Sequence, residues 1–510
     1  MIGKIQKGVV NKAAHFESGK ISKLLFGIIA LSLGVAIGIF VGADGMHGHR
    51  LEVEWLGPSP PLLNDFPQIG SFLLTSFFSA IAFFFAWGVR SGSADKPLAG
   101  LLALSLFSDA IPAIYQLAVL LILAVLLERF LRGHDFSVPL SPSLLPIGAV
   151  LVVYLTTFLS APNPTAVLID YIFRLLVLLM VILLPVILGQ RKHLETFLKY
   201  LLAAACLSAL VGLSQLVLSM TSGRILTFAS ADFNKIEFPV PILGSSVLPR
   251  CTGLMLHPNH QANALGTIAL LSLWLGLGPK VARSQRMIYL SSFMLLAVGV
   301  FVTFSRSGWL ALGIGAMVLP FFRWPKYRIP YSLVVLAGAV FGFKTGLFSM
   351  VYEIVENMNA ASADFRWHID ALAVEAFLTS PWFGVGVGGI LNFFNPYHLE
   401  IHNTYLQILA EMGLAGVLGF GALFVILAFR IRRAISLAQR NPDKSGWSQE
   451  WLVGLAIASS MLLLQNLVAM FLWVKFLWAW IAFIEASIFV SLRRSRQQAH
   501  PDPVFLQDEV

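Results

Sequence analysis

Apolar runs of about 20 residues, broken by short charged or Pro/Gly-containing segments, follow one another along most of the chain. A run of that length crosses the roughly 30 Å hydrocarbon core of a bilayer as a helix. The pattern predicts spans near residues 22–41, 70–89, 97–107, 111–127, 144–159, 167–188 and 194–219. Further spans are expected near 261–277, 287–304, 309–322, 331–348, 413–429, 451–470 and 471–492. That makes about fourteen crossings, and no fewer than about twelve, at roughly 20 residues each. The fold class is therefore an all-α polytopic membrane protein, with residues 1–510 forming a single integral membrane domain. Residues 97–127 are short for two full helices, and a pair of short or re-entrant segments broken at Ser108-Asp109 and Pro112 accommodates them. The last two runs lack a polar turn; Lys475, flanked by Trp473 and Trp478, marks the outer interface between them.

The basic residues orient this map. Lys4, Lys7, Lys12, Lys20 and Lys23 precede the first span, and later groups include Arg90/Lys96, Arg191/Lys192, Arg323/Lys326/Arg328 and Arg430/Arg432/Arg433. In all, 25 of the 35 Lys and Arg fall on one side, which the positive-inside rule makes cytoplasmic together with both termini. The first apolar run is long and no A-x-A site follows it, so it reads as an uncleaved helix. The tail at 493–510 is cytoplasmic and turns acidic at Asp502, Asp508 and Glu509. A composition of 57% hydrophobic and 12% charged residues fits a membrane protein, since globular domains carry about 25% charged residues. The net charge of +9 follows from topology, so nucleic-acid binding is not implied. Cys206 and Cys251 are too few for a disulfide framework or a thiolate metal site.

Three long loops, near residues 42–69, 220–260 and 349–402, all fall on the outer side, and loops longer than about 15 residues are usually functional. Outer loops are otherwise poor in Lys and Arg, so the cations there need a reason. Arg306 lies in the turn Ser305-Arg306-Ser307-Gly308 between two apolar helices; Ser307 is placed to cap the second, and free N–H groups at a helix start favour anions. The competing reading is an interfacial arginine reaching for lipid phosphates. Arg366 opens an amphipathic segment that runs to Phe377 and stops at Pro381, followed by the glycine-rich turn Gly384-Val385-Gly386-Val387-Gly388-Gly389. Arg366 either pairs with Asp370 at i,i+4 on a surface or presents its charge to an anionic head group. The glycine-rich turn is not a dinucleotide fingerprint, because no βαβ unit surrounds it. In the block from Arg250 to Asn263, Pro258-Asn259 is expected to cap the next helix, with Arg250 near the outer surface. His257, His260 and His402 lack metal-ligand spacing, so neither a metal nor a cofactor is expected.

The most informative block opens with His402-Asn403-Thr404-Tyr405, a polar head running into an apolar helix that ends at Arg430, Arg432 and Arg433. One helix from His402 to Arg433 would reach about 48 Å, longer than the hydrocarbon core, so the first turns lie at or outside the interface and the span begins near Gly413 and Gly416. Asn403, Gln407 and Glu411 recur at i, i+4, i+8 and share a face. His402 either caps this helix with Asn403, leaving Glu411 in a buried polar contact, or serves as a proton acceptor near neutral pH.

In order along the chain, Arg250-x-Thr-Gly with Pro258-Asn259, Ser305-Arg306-Ser307-Gly308, Arg366-Trp367, Ser380-Pro381-Trp382-Phe383-Gly384 and His402-Asn403-x-Tyr405-Leu406 with Glu411-x-Gly413-x-x-Gly416 resemble the O-antigen ligase and polymerase superfamily of bacterial membrane glycosyltransferases. The similarity covers roughly residues 200–435, the catalytic region, with 349–402 as a helical extracytoplasmic loop; the first 190 or so residues match only by hydropathy. The resemblance implies a fold like that of other membrane glycosyltransferases (GT-C-like) and a donor glycan on undecaprenyl pyrophosphate. It implies metal-independent transfer on the periplasmic face of the bacterial cytoplasmic membrane. It also implies His402 as catalytic base, with Arg306 and Arg366 binding the donor pyrophosphate. Arg250, Asn259, Ser305, Ser307, Asn403, Tyr405 and Glu411 are the expected supporting residues, with Glu400 or Glu411 as alternative orienting group or base. One base and no enzymic nucleophile imply direct displacement with inversion.

The acceptor separates the branches of the family the chain resembles: lipid A–core sugar for a ligase, another lipid-linked repeat for a polymerase, and protein for a third branch. Extra N-terminal membrane segments depart from a compact ligase, while Arg306, Arg366 and His402 fit the ligase pattern. A flippase for lipid-linked glycans is the rival of another class; it would carry ionisable groups at mid-membrane and would not need the histidine.

Overall fold

A computed structural model describes residues 95–107, 141–158, 164–222, 235–242, 245–346, 360–386, 401–440, 447–467 and 474–499, with isolated positions between 115 and 126 and at 349, 469 and 472. The spans expected at 22–41 and 70–89, the loop at 42–69 and Glu400 lie outside the described residues. The chain divides into two compact units, Met1–Ser105 with Ile111–Phe136, and Leu106–Ala110 with Ser137–Val510. In the first, α1 (Asp95–Ser105) buries Leu98, Leu102 and Ala103.

The second unit carries α2 (Leu144–Phe158), α3 (Pro164–Ile187), α4 (Arg191–Ser222), the strands β1 (Lys235–Ile242) and β2 (Ser245–Pro249), and α5 (Pro258–Gly276). It continues with α6 (Arg283–Val302), α7 (Arg306–Arg323), a 3-10 turn at Pro325–Tyr327 and α8 (Arg328–Lys344). The last helices are α9 (Ala360–Thr379), α10 (Thr404–Arg440), α11 (Trp447–Gln465) and α12 (Lys475–Ala499). These helices lie close to the apolar runs of the sequence, and α12 starts at Lys475, where the interface between the last two spans was expected. Among the described residues four helical segments are long and apolar enough to cross a membrane: Arg191–Thr221, Arg283–Val302, Thr404–Arg440 and Lys475–Arg493. Apolar faces accompany them: Met287, Ile288, Met294 and Phe301 on α6, and Leu418, Val425 and Phe429 on α10, are exposed. Contiguous apolar surface of this kind is costly in water and is what a lipid-facing helix needs.

α5 is the hub. All its residues except His260 and Leu273 are buried, as expected of a helix with no strongly charged face and packed on all sides. Small residues let the neighbours approach: Gly266 faces the Met461 side chain of α11, and Gly299 of α6 faces Leu265 of α5 and Ala209 of α4. α11 runs antiparallel to α5, since Trp274 Nε1 donates to the Glu450 carbonyl at 2.8 Å near one end while Gly266 meets Met461 further along. Arg323 closes that end, 2.5 Å from a Glu450 carboxylate oxygen, donating to the Leu277 carbonyl and lying 4.4 Å over the Trp274 ring. Elsewhere Arg430 of α10 pairs at 2.8 Å with Glu485, buried in α12, whose other oxygen accepts from Ser143. Such a pairing lets a carboxylate reside in an apolar helix.

Two local features differ from expectation. Part of the loop expected at 220–260 is an antiparallel hairpin, Lys235 facing Pro249 and Ile242 facing Ser245. The helix after His402 is also not one rod. At Gly413 the backbone turns to φ 62°, ψ −159°, and the segment around Gly384 threads the break. The carbonyls of Ala410 and Glu411, which lose their helical partners, accept from Val385 N (2.9 Å) and Gly386 N (3.1 Å). On the other side, Leu414 N and Ala415 N donate to the Pro381 and Trp382 carbonyls at 2.9 and 3.0 Å. Broken helices at membrane depth are tolerated where protein backbone satisfies the freed groups in this way. The glycine-rich turn thus serves as the insert for the break.

Candidate active site

Three chain segments build the site, and each is fixed by its own local chemistry. The first is the stretch from Arg250 to His257. Gln215 of α4 holds it: Gln215 Oε1 accepts from Thr252 N (3.0 Å) and Gly253 N (2.9 Å), and Nε2 donates to the Gly253 carbonyl at 3.0 Å. Ser208, two turns earlier on α4, accepts from Leu254 N at 3.1 Å and donates to Gln261 Oε1 at 2.9 Å. Gly253 has φ +57°, and a Cβ there would stand 2.5 Å from the Ser208 carbonyl oxygen, so only glycine fits. α5 then starts at Pro258, but the cap is His257, whose Nδ1 accepts from Asn259 N at 3.1 Å; Pro258 occupies the first helical position. Arg250 was expected near the outer surface. Its side chain is buried, and its guanidinium donates to Asn259 Oδ1 at 3.0 Å.

The second segment is the turn between α6 and α7. Ser305, not Ser307, caps α7, its hydroxyl accepting from Gly308 N at 3.3 Å. Ser305 Oγ also donates to Asn259 Oδ1 at 2.9 Å and lies 3.2 Å from Ser307 Oγ. Asn259 therefore receives Arg250 from one side and Ser305 from the other, and locks the first segment to the second. Phe304 takes a positive φ of 49° to make this turn, a conformation unusual for an aromatic residue. Arg306, half-buried, stands at the first position of α7, where backbone N–H groups point outward.

The third segment opens α10. Asn403 is the cap: its Oδ1 accepts from Tyr405 N (3.0 Å) and Leu406 N (3.1 Å). His402 precedes it, half-buried. Thr404 is tied to α11, its N–H donating to the Asn466 carbonyl at 3.0 Å and its hydroxyl lying 3.1 Å from Asn466 Oδ1 and 2.8 Å from the Ala469 carbonyl. Tyr405 reaches the Leu463 carbonyl at 3.3 Å. Glu411 is buried and accepts from Gln407 Nε2 at 3.2 Å, the polar contact the shared face implied. Arg366 lies on α9, three residues before Ile369. Ile369, Ala373 and Ala376 pack against Ile401 and Ala410, with Leu406 alongside, so α9 docks directly on the His402 turn.

The end of α11 joins the second and third segments. Asn466 holds Thr404, and its neighbour Gln465 stands beside the Arg306 turn, because a Cβ on Gly308 would lie 3.0 Å from Gln465 Nε2. Gln465 and Asn466 were not among the residues singled out from sequence, nor were Ser208 and Gln215. The available signal was a polar residue inside an apolar run, as with Ser208 and Gln215 spaced i, i+7 on one face of α4.

Cys251 lies in the first segment with no exposed surface, and burial pushes its thiol up to about 12. The thiolate is the reactive form, so at pH 7–8 this sulfur is inert. A Cys206→Ser variant, keeping only Cys251, is expected to resist maleimide in mild detergent and to label fully once denatured. Rapid labelling of the folded protein would overturn the packing described for this segment. Among the described residues no group of three or more His, Cys, Asp or Glu is placed to hold a metal ion.

A family model described as O-antigen ligase matches residues 291–421, from within α6 to the middle of α10, and so takes in Ser305, Arg306, Ser307, Arg366, His402, Asn403, Tyr405 and Glu411. Arg250 and Asn259 lie before the match, and are joined to it through Ser305. No curated protein matches the chain. The family's members are membrane glycosyltransferase-type enzymes acting on lipid-linked glycans and acceptors. Over residues 291–421 this helical, membrane-embedded chain is similar to the O-antigen ligase family, a match that supports the O-antigen ligase/polymerase superfamily.

Proposed function

We propose that this protein transfers a glycan from undecaprenyl pyrophosphate to an acceptor hydroxyl at the periplasmic face of the bacterial inner membrane. The observation that carries this reading is that the Arg306 turn and the His402 turn both pack on one end of α11, Gly308 close against the Gln465 side chain and Thr404 hydrogen-bonded to Asn466. A helix start that carries a cation and a helix mouth that carries an imidazole thus meet the same end of α11 although about a hundred residues apart in the chain.

The reaction assigned to them is a single displacement. The acceptor oxygen attacks the anomeric carbon and its proton passes to His402. The bond from that carbon to the pyrophosphate oxygen breaks, and undecaprenyl pyrophosphate departs with the electron pair. Attack opposite the leaving group inverts the anomeric centre. Arg306 and Arg366 neutralise the pyrophosphate by charge-assisted, fork-shaped hydrogen bonding. Arg250, Asn259, Ser305 and Ser307 hold the Arg306 turn; Asn403 and Tyr405 hold the His402 turn, with Glu411 in support through Gln407 further along α10. No metal or cofactor takes part. The membrane domain has about fourteen crossings at roughly 20 residues each, with both termini cytoplasmic. The acceptor in this reading is lipid A–core or a related sugar; a growing O-antigen or exopolysaccharide repeat is the alternative.

Reconstitution of the purified protein with a defined undecaprenyl-pyrophosphate glycan and each acceptor, and identification of the product, tests this directly. An inverted glycosidic linkage formed in the presence of EDTA is the expected result, and the acceptor consumed separates ligase from polymerase. Movement of the lipid-linked donor across the bilayer with no transfer would establish the flippase instead. In the same assay Arg306→Ala is expected to lower donor use by about 100-fold. Arg306→Lys should recover only part of it, because an ammonium keeps the charge but loses the fork. Equal activity of all three proteins would remove Arg306 from the donor site.

A further inference from the structure

Buried amide side chains collect where α5, α7 and α11 meet, and several lack partners. Gln465 at the end of α11 is 0% exposed, and neither its Oε1 nor its Nε2 has a hydrogen-bond partner. Asn263 on α5 is 2% exposed, and both atoms of its amide are likewise unpartnered. Gln407 on α10 leaves Oε1 unpartnered while its Nε2 serves Glu411. Helices α5 and α11 run antiparallel with Gly266 against Met461, and one further turn brings Gln465 level with Ala262 and Asn263. Gly308 confirms the level, since a Cβ there would lie 2.6 Å from Ala262 Cβ and 3.0 Å from Gln465 Nε2. Gln407 is on the same face of α10 as Thr404, which Asn466 holds, so its free oxygen belongs to the same neighbourhood.

Most buried polar atoms in proteins are hydrogen-bonded, and leaving one unpaired is costly. Two complete amide groups left bare beside the Arg306 turn are therefore best explained by a partner that arrives with substrate. Amides pair with hydroxyl and N-acetyl groups by offering a donor and an acceptor together. They carry no charge, so they suit the uncharged sugar and not the pyrophosphate.

We propose that Gln465 and Asn263 form a sugar-recognition subsite, which binds hydroxyl or acetamido groups of the donor's first sugar while the arginines take the pyrophosphate. This rests on the glycan-transfer reading and adds a subsite for the sugar to it. The subsite then discriminates between lipid-linked sugars, because a site built to pair a hydroxyl rejects analogues that leave its amides bare.

The test uses full-length protein in lipid nanodiscs carrying Gln465→Met, which keeps the volume and removes the amide, and separately Asn263→Leu. Binding of undecaprenyl pyrophosphate and of the same lipid bearing its glycan is measured for each, together with Tm. The expected outcome for Gln465→Met is an unchanged or raised Tm, since a bare buried amide has gone. Unchanged affinity for undecaprenyl pyrophosphate and at least tenfold weaker affinity for the glycan-bearing lipid should accompany it. Equal affinities for both lipids in variant and wild type would overturn the subsite. A lowered Tm with both affinities reduced alike would also overturn it, by making the amides structural. If the wild type binds neither lipid, the glycan-transfer reading fails and the subsite fails with it. If the wild type binds both lipids and the substitution leaves both affinities as they were, only the subsite fails.

Discussion

Replacing His402 with alanine is expected to lower glycan transfer by about 100- to 10,000-fold, the usual contribution of a positioned acid–base group. Its effect on folding is expected to be small. Asn403, not His402, caps α10, its Oδ1 taking the N–H groups of Tyr405 and Leu406, and Thr404 anchors the turn to Asn466. The helix start keeps its cap and its anchor when the imidazole is removed. The measurement is transfer by purified protein alongside Tm, with donor export tracked in cells. A variant with wild-type Tm, intact export and no transfer supports the general base. Full transfer by His402→Ala would sink it and turn attention to the carboxylates. Of these, Glu411 is committed to Gln407 one turn along the same helix face.

The second large effect is on stability. Gly384 and Gly413 meet where the inserted segment crosses the break in α10, with φ of +72° and +62°. A Cβ on Gly384 would lie 2.3 Å from the Glu411 carbonyl carbon, and one on Gly413 would lie 2.6 Å from that of Trp382. Backbone atoms on both sides leave no flexible side chain to yield. The strained φ alone costs about 1–3 kcal/mol for a non-glycine residue, and overpacking costs a similar amount. Gly384→Ala and Gly413→Ala are each expected to destabilise by about 3 kcal/mol or more, read as a marked fall in Tm in detergent. A control at Gly421, where a Cβ meets nothing within 4 Å, should leave Tm nearly unchanged. If both variants melt with the wild type, the threaded break is not the native arrangement. Activity is expected to fall with them, because the break lies between the His402 turn and the rest of α10.

Several parts of the site were legible from residue types alone. Ser305-Arg306-Ser307-Gly308 stood out as a polar break between apolar runs, and the structure makes it the start of α7. The roles within it were misread by two residues, since Ser305 and Ser307 are equally good caps by type. Only the backbone geometry, with Phe304 at positive φ, selects Ser305. The burial of Arg250 was not legible in the sequence. An arginine in an outer loop is by default exposed, and its burial follows from Asn259, nine residues on, presenting one oxygen to both Arg250 and Ser305.

The chain's local pattern determined where helices lie, that the protein is helical and membrane-embedded, and which turns carry a cation or an imidazole. Hydropathy, proline and glycine breaks and capping residues act over a few neighbours, so they can be read from a short window of sequence. The tertiary structure alone decided three things: that residues 381–386 thread α10, that Gln215 and Ser208 hold the Arg250 loop, and that Gln465-Asn466 gathers the Arg306 and His402 turns. Each of these joins residues from different elements through single hydrogen bonds or glycine contacts. An amide buried in an apolar run looks the same in sequence whether it faces lipid, a loop or a substrate, and only the packed neighbours distinguish them.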